Sequence, residues 1–279
     1  MADPRKDLTI AIEGVELHLA HPDELRIRWV GQEETMKQLL AAWSVVDDRD
    51  IPMSPRLLGK PGVGKTTLAY AAGKARGQDV YIFQATMDTR PEDLLITPVI
   101  DRKGGIRYVA SSLVTAMIRG GIAIIDEGNR MSEKSWASLA PLLDNRRYVE
   151  SIVAGVKVAA DPAFRFVATM NEDASTYELP DYIHSRLQPQ IQLDFPEHDE
   201  EKAILAENLP FANDAILEYV TDFLQAAHEA DERYTARDGI NIARYALKRL
   251  VGASADSQNA ALRDAVLRVL GPDALRYLT

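Results

Sequence analysis

Gly59-Lys60-Pro61-Gly62-Val63-Gly64-Lys65-Thr66, followed by Thr67, decides the fold, because it satisfies G-x-x-x-x-G-K-[ST] at every fixed position. Each residue type has a physical task. Glycines let the backbone fold tightly, so that successive N–H groups converge on phosphate oxygens. A helix opening at Thr66 adds the positive end of its dipole. Lys65 supplies a point charge to the β- and γ-phosphates, and the Thr66 hydroxyl reaches a Mg²⁺ ion. The stretch lies between a short apolar run, Arg56-Leu57-Leu58, and a helical pattern over Thr66–Arg76, the context this mechanism needs. Residues 59–67 are therefore expected to bind ATP with Mg²⁺.

Downstream, Ile122-Ala123-Ile124-Ile125-Asp126-Glu127 is the most apolar run in the chain and ends in two carboxylates, about 60 residues after the glycine-rich turn. Such a run reads as a buried strand. At its end Asp126 is expected to hold the Mg²⁺ ion through its water shell. Glu127, pointing the other way by strand alternation, is expected to polarise an attacking water. A group that activates water favours hydrolysis over transfer to another acceptor, which must exclude water.

Three further runs, Val80–Phe83, Phe164–Ala168 and Ile191–Leu193, bring the strands to five. Helical spacing fills Ser112–Arg119 and Lys134–Leu143 between them. This alternation predicts an α/β fold: a doubly wound, mostly parallel five-stranded sheet with ligands at the carboxyl ends of its strands. Ahead of it, Leu8–Ile12 and Val15–Leu19 alternate around Gly14 like a hairpin, and 32–46 is helical in period. Past Pro196 four helical segments follow with no strand: Glu200–Leu209, Ala215–Ala230, Gly239–Val251 and Ala260–Leu270. The expected organisation is an N-terminal extension (1–29), a nucleotide-binding core (30–195) and a small all-helical lid (196–279).

Composition supports a globular chain, with 46% apolar and 27% charged residues among 279. Cysteine is absent, which excludes disulfides and thiolate metal sites. There is no secretory signal and no run of 18 or more apolar residues, so no membrane span and a cytoplasmic location are expected. The net charge of −10 argues against broad nucleic-acid binding, and the local basic pair Arg102-Lys103 reads as a solvated loop before it reads as a grip on a client or nucleic acid. No His/Asp/Glu group shows metal-ligand spacing, so nucleotide-bound Mg²⁺ is the one metal expected.

Taken together, these residues resemble the AAA+ superfamily, and within it the MoxR-like branch related to dynein and midasin. Ile125-Asp126-Glu127-Gly128-Asn129-Arg130 looks like that branch's D-E-x-N-R. Asp88-Thr89-Arg90-Pro91-Glu92-Asp93-Leu94 is similar to its T-x-x-E-D-L segment, with Ile96–Leu113 as a pore-facing insert loop and Tyr148–Val158 as a β-hairpin. The resemblance implies that Asn171, ending Val167-Ala168-Thr169-Met170-Asn171, is the sensor that orients water. It makes Arg186 an arginine finger acting on the neighbouring subunit, although Leu187 follows where the family has Phe. Arg146 and Arg147 are the runners-up. Arg237, in Thr235-Ala236-Arg237-Asp238, matches the lid arginine that touches the γ-phosphate. Gly31 and Gln32, in Trp29-Val30-Gly31-Gln32-Glu33, would border the adenine.

The activity so implied is Mg²⁺-dependent ATP hydrolysis by a hexameric ring that remodels a protein client, in the manner of a MoxR chaperone. A von Willebrand factor A domain protein is the partner the resemblance suggests. A different class, a nucleotide-gated module that licenses a nuclease or other effector on DNA, uses the same motifs. A small-molecule phosphotransferase is disfavoured by Glu127, by Asn171 and by the helical segment after the core. His184, beside Arg186, reads as a surface or packing residue.

Overall fold

A computed structural model describes residues 8–25, 28–100, 104–172, 179–251 and 258–278; the basic pair Arg102-Lys103 lies outside them. From the N-terminus, β1 (Thr9–Ile12) and β2 (Val15–His18) form the expected hairpin, turned by Glu13-Gly14. Helix α1 (Glu33–Ala42) buries Leu39 and Ala42. Behind it, the fully buried Trp43 donates its indole N–H to the Phe166 carbonyl at 2.8 Å. Next come β3 (Arg56–Gly59), α2 (Lys65–Ala75), β4 (Val80–Gln84) and the short α3 (Pro91–Leu94).

In place of the expected loop, β5 (Ile96–Ile100) and β6 (Ile106–Ala110) pair as an antiparallel hairpin. Helix α4 (Ser112–Arg119) starts on Ser111, whose side chain accepts the Val114 N–H. Then follow β7 (Ile122–Asp126), α5 (Glu133–Leu139), the hairpin β8 (Tyr148–Ser151) and β9 (Val156–Ala159), β10 (Arg165–Asn171), the short α6 (Asp181–His184) and β11 (Gln190–Gln192).

The five expected strands make one sheet in the order β11-β3-β10-β7-β4. β10 with β7, β4 with β7 and β11 with β3 all pair parallel. Alternation explains why helices cover both faces. Ala123 and Ile125 join Leu113 and Met117 of α4 in one core, while Ile122 meets α2 at Gly73. The fold is thus the doubly wound α/β one expected, followed by a helical segment.

The N-terminal hairpin departs from the usual two-stranded arrangement, because β2 runs parallel to β6 and completes a separate sheet, β1-β2-β6-β5. It therefore covers an edge of the insert hairpin, where unpaired backbone groups would otherwise stand open. The chain leaving it is tied down by the Ala20 N–H, which donates to the fully buried Thr115 hydroxyl at 2.9 Å.

By its internal contacts the chain divides into two units. One takes in Glu34–Leu58 and Lys65–Gln192 with the N-terminal hairpin; the other takes in Arg28–Glu33, Gly59–Gly64 and the chain from Leu193. The second unit contains α7 (His198–Asn208), α8 (Asp214–Glu229), α9 (Ala236–Leu250) and α10 (Gln258–Leu270). Its core gathers Leu205, Val220, Leu224, Ile242, Leu262 and Val266. A capping box opens α9, with Thr235 and Asp238 each holding the other's backbone N–H. Among the described residues no helix is long and apolar enough to cross a membrane.

Candidate nucleotide site

In the first unit, the start of α2 meets the end of β7. The Thr66 hydroxyl donates to Asp126 Oδ1 at 2.5 Å, and the Thr169 hydroxyl on β10 donates to the same oxygen at 2.5 Å. Thr169 Oγ1 in turn accepts the Glu127 N–H at 3.1 Å. One hydroxyl thereby links both carboxylate residues to the neighbouring strand. Lys65 is 6% exposed.

Glu127 stands in the left-handed region, with φ 55°. Its direction is thus set by this turn and not by strand alternation, because β7 ends one residue earlier. A glutamate held there is a strained position of the sort found at functional sites. Its Oε2 lies 2.6 Å from Arg130 Nε. Asn129 donates its amide to the Asn171 carbonyl at 2.7 Å and receives the Asn171 N–H at 3.4 Å, which pins the end of β10.

In the second unit, the glycine-rich segment is built as a cradle. Gly59, Gly62 and Gly64 have φ of 151°, 85° and 99°. A methyl group on Gly62 would lie 2.3 Å from Cγ2 of Thr235, and one on Gly59 would lie 2.2 Å from the Leu193 carbonyl oxygen. Only glycine satisfies both the dihedral and the space. Lys60 Nζ pairs with Asp231 Oδ1 at 2.6 Å and sits 5.3 Å from the centre of the Phe195 ring.

The Trp29 indole N–H donates to the Gly31 carbonyl at 2.7 Å, and its ring comes within 3.2 Å of a methyl built on Gly64. Gln32 gives its N–H to Glu200 Oε1 at 2.8 Å and its side-chain amide to the Asp194 carbonyl at 3.0 Å. Gly31 and Gln32 are therefore fixed by α7 and the segment before it. Arg237 is exposed at the second position of α9.

The three candidate finger arginines differ in kind. Arg186 donates to the Tyr182 carbonyl at 2.5 Å and reaches Asp144 Oδ2 at 3.5 Å. Arg146 pairs with the same carboxylate at 2.8 Å, and Arg146 above all holds the Asp144 carboxyl down at about 2. Arg147 turns inward: its guanidinium lies 5.7 Å from the Phe164 ring and donates to the Phe164 carbonyl at 3.1 Å. His184 is exposed, and its ring nitrogen lies 2.9 Å from Nη2 of the buried Arg56.

Several functional candidates carry no separate sequence signal. Thr169 could have been singled out, since it shares a strand face with Asn171 two residues on. Glu200 and Asp231 become visible only through contacts with distant residues. His198, Glu218 and Asp222 also converge, with their ligand atoms within 4.8 Å of one another, although sequence spacing gave no such group. Helical i,i+4 geometry brings Glu218 and Asp222 together, but Lys202 already pairs with Glu218 at 2.6 Å.

The residues fit a magnesium nucleotide. Thr66 and Asp126 offer hard oxygen donors side by side, as Mg²⁺ requires, and the glycine segment has no room for side chains. Such an arrangement defines a P-loop protein of the AAA+ class, and residues 56–187 match the AAA domain (dynein-related subfamily). That match takes in a little under half of the chain.

A stretch of 113 residues is 34% identical to the Holliday junction branch migration complex subunit RuvB of Pseudothermotoga lettingae, covering 40% of this chain and 28% of that protein. Another of 133 residues is 30% identical to midasin of Dictyostelium discoideum, covering 47% of this chain and 2% of that one. The matches thus span less than a third of these relatives' own lengths. Among solved structures, the RuvB Holliday junction branch migration motor of Thermotoga maritima shares the fold, with a TM-score of 0.60 at 20% identity over 88% of this chain and 72% of that one.

Proposed function

We propose that the chain is a Mg²⁺-dependent ATP hydrolase that works as a hexameric ring and remodels a protein client. The observation that carries this reading is the convergence of the Thr66 and Thr169 hydroxyls on Asp126, with Glu127 next to it on a left-handed turn. In this reading Thr66 and Asp126 hold the Mg²⁺ ion, which when bound neutralises charge on the phosphates. The backbone of Gly59, Lys60, Pro61, Gly62, Val63 and Gly64 wraps the β-phosphate, Lys65 reaches the γ-phosphate, and Thr67 extends the contact to the α-phosphate side. Gly31 and Gln32 border the base.

Glu127 takes a proton from water as the water oxygen bonds to the γ-phosphorus and the bond to the bridging oxygen breaks. ADP and phosphate are the products. Asn171 orients that water, Arg186 reaches the γ-phosphate of the adjoining subunit, and Arg237 senses it from the lid. The pairing of Arg186 and Arg146 on one carboxylate supports an arginine presented at a subunit boundary, whereas the inward turn of Arg147 does not. A MoxR-like chaperone role, with a von Willebrand factor A domain protein as partner, is the finer form of the proposal, and a cytoplasmic location goes with it.

Phosphate release from labelled ATP tests the chemistry. The Glu127→Gln chain should bind ATP and release phosphate 10²–10⁴-fold more slowly, the range typical of a lost general base. Undiminished release would remove Glu127 from the mechanism. A second reading, an ATP-driven motor or licensing module on DNA, is favoured by the RuvB match. Turnover measured with and without linear and branched duplex separates the two, since stimulation by DNA of tenfold or more would select the second.

A further inference from the structure

Among the described residues, the two-stranded sheet formed by β8 and β9 leaves one edge open. In an antiparallel pair, residues that exchange hydrogen bonds across the ladder alternate with residues whose N–H and C=O point outward. The Ala160 N–H donates to the Arg147 carbonyl at 2.8 Å, which puts Arg147, Val149 and Ser151 in the inward set and Tyr148 and Glu150 in the outward one. Two bonds agree with this parity. The Tyr148 N–H donates away from β9 to the Pro141 carbonyl at 3.4 Å, and the Lys157 N–H donates away from β8 to Glu13 Oε2 at 3.3 Å.

Glu13 thus caps the β9 edge, whereas the outward N–H and C=O of Glu150 meet no partner among the described residues. Glu150 lines a groove of about 410 Å³ together with Leu95, Ile96, Ala137 and Pro141. Nearby β5 is blunted as an edge by Pro98, but β8 contains no proline. Just past β8, Ile152 is 92% exposed and Val153 is 46% exposed, because both belong to the turn and not to the strand where alternation would bury them. Two carboxylates, Glu92 and Glu150, also line the groove, and among the described residues no lysine or arginine does. The nearest cation over its Tyr148 wall, Lys157, is drawn onto the ring at 3.9 Å.

We propose that this edge receives an extended segment of a partner protein as a third strand beside β8, with apolar side chains in the groove and a basic residue facing Glu150. Backbone pairing to the Glu150 N–H and C=O supplies register, the apolar pocket supplies affinity, and the two carboxylates select cationic neighbours over anionic ones.

The experiment uses fluorescence anisotropy on the whole chain with three labelled heptapeptides. One alternates Lys and Ile, the second alternates Glu and Ile, and the third repeats the first with N-methylated amides on the edge facing β8. The Lys peptide should bind at least tenfold more tightly than either control and should protect the Glu150 amide from hydrogen exchange. Glu150→Lys, a surface change that leaves the core intact, should invert the preference between the Lys and Glu peptides. Equal affinities, no binding, or an uninverted preference would overturn the proposal. So would displacement of the Lys peptide on raising the protein concentration, since the edge would then belong to a second copy of the chain.

Discussion

Arg130 Nε lies 2.6 Å from Glu127 Oε2, three residues away across a short 3₁₀ turn. Both side chains are about one-third exposed, at 37% and 31%, so the pair contributes little to stability. Its consequence is orientation. The left-handed backbone aims Glu127, and Arg130 fixes one carboxylate oxygen while leaving the other for water. Misplacing a reacting group by about 1 Å costs on the order of 10²-fold in rate. Arg130→Ala should therefore lower kcat of ATP hydrolysis by about tenfold or more while leaving KM within about twofold. Steady-state kinetics at saturating Mg²⁺ check this, and a change confined to KM would show that Arg130 serves binding instead.

Thr169 makes a sharper prediction because it is 1% exposed and its hydroxyl is shared between Asp126 and the Glu127 N–H. Thr169→Val keeps the shape and removes both bonds. Groups that orient a metal-binding carboxylate typically account for 10–100-fold in metal affinity. The Mg²⁺ concentration giving half-maximal turnover should rise by about that factor, read from a Mg²⁺ titration at fixed ATP. An unchanged titration curve would mean that Asp126 needs no support from β10.

Gly62 tests the cradle. Alanine there must adopt φ near 85° and place its methyl 2.3 Å from Thr235 Cγ2. Either demand displaces the segment, so Gly62→Ala should weaken nucleotide binding by about tenfold or more with unaltered circular dichroism. Calorimetric titration with a non-hydrolysable ATP analogue supplies the number. Binding at full strength would mean that the loop rearranges freely on accepting phosphate.

These three cases mark what could be read from the amino-acid order and what could not. The glycine-rich turn and the run ending in Asp126 are local patterns: spacing, β-branched apolar residues and strand–helix alternation suffice to place them. The hydroxyl of Thr169 acts across 43 residues, and the Glu200 carboxylate reaches Gln32 across 168. Contacts so distant leave no periodic trace. The parallel pairing of β2 with β6 was hidden for the same reason, since a hairpin signal fixes its own two strands and says nothing about which edge it covers. Strand alternation does not reach Glu127, which lies one residue past the end of β7 in a left-handed turn.

Glu201 gives the pH dependence its sign. The residue is fully buried on α7, Gln225 donates to its Oε2 at 2.6 Å, and burial above all raises its pKa from 4.5 to about 7. A carboxyl whose folded pKa exceeds its unfolded value holds more protons when folded, so its contribution to stability is lost as pH rises from about 4.5 through about 7. The shift corresponds to about 3 kcal/mol at most. Its neighbour His228, Nδ1 at 3.8 Å from Oε2, is lowered by burial and works in the opposite sense, gaining stability as pH rises. Comparing Glu201→Gln with the natural chain isolates the carboxyl together with its effect on the adjacent imidazole, because every other titrating group is common to both. Urea midpoints should coincide near pH 5 and favour the variant near pH 8, by up to about 3 kcal/mol once converted through the denaturant slope. A difference that does not change with pH would show that Glu201 is ionised throughout, held as a charge by Gln225 and the neighbouring imidazole.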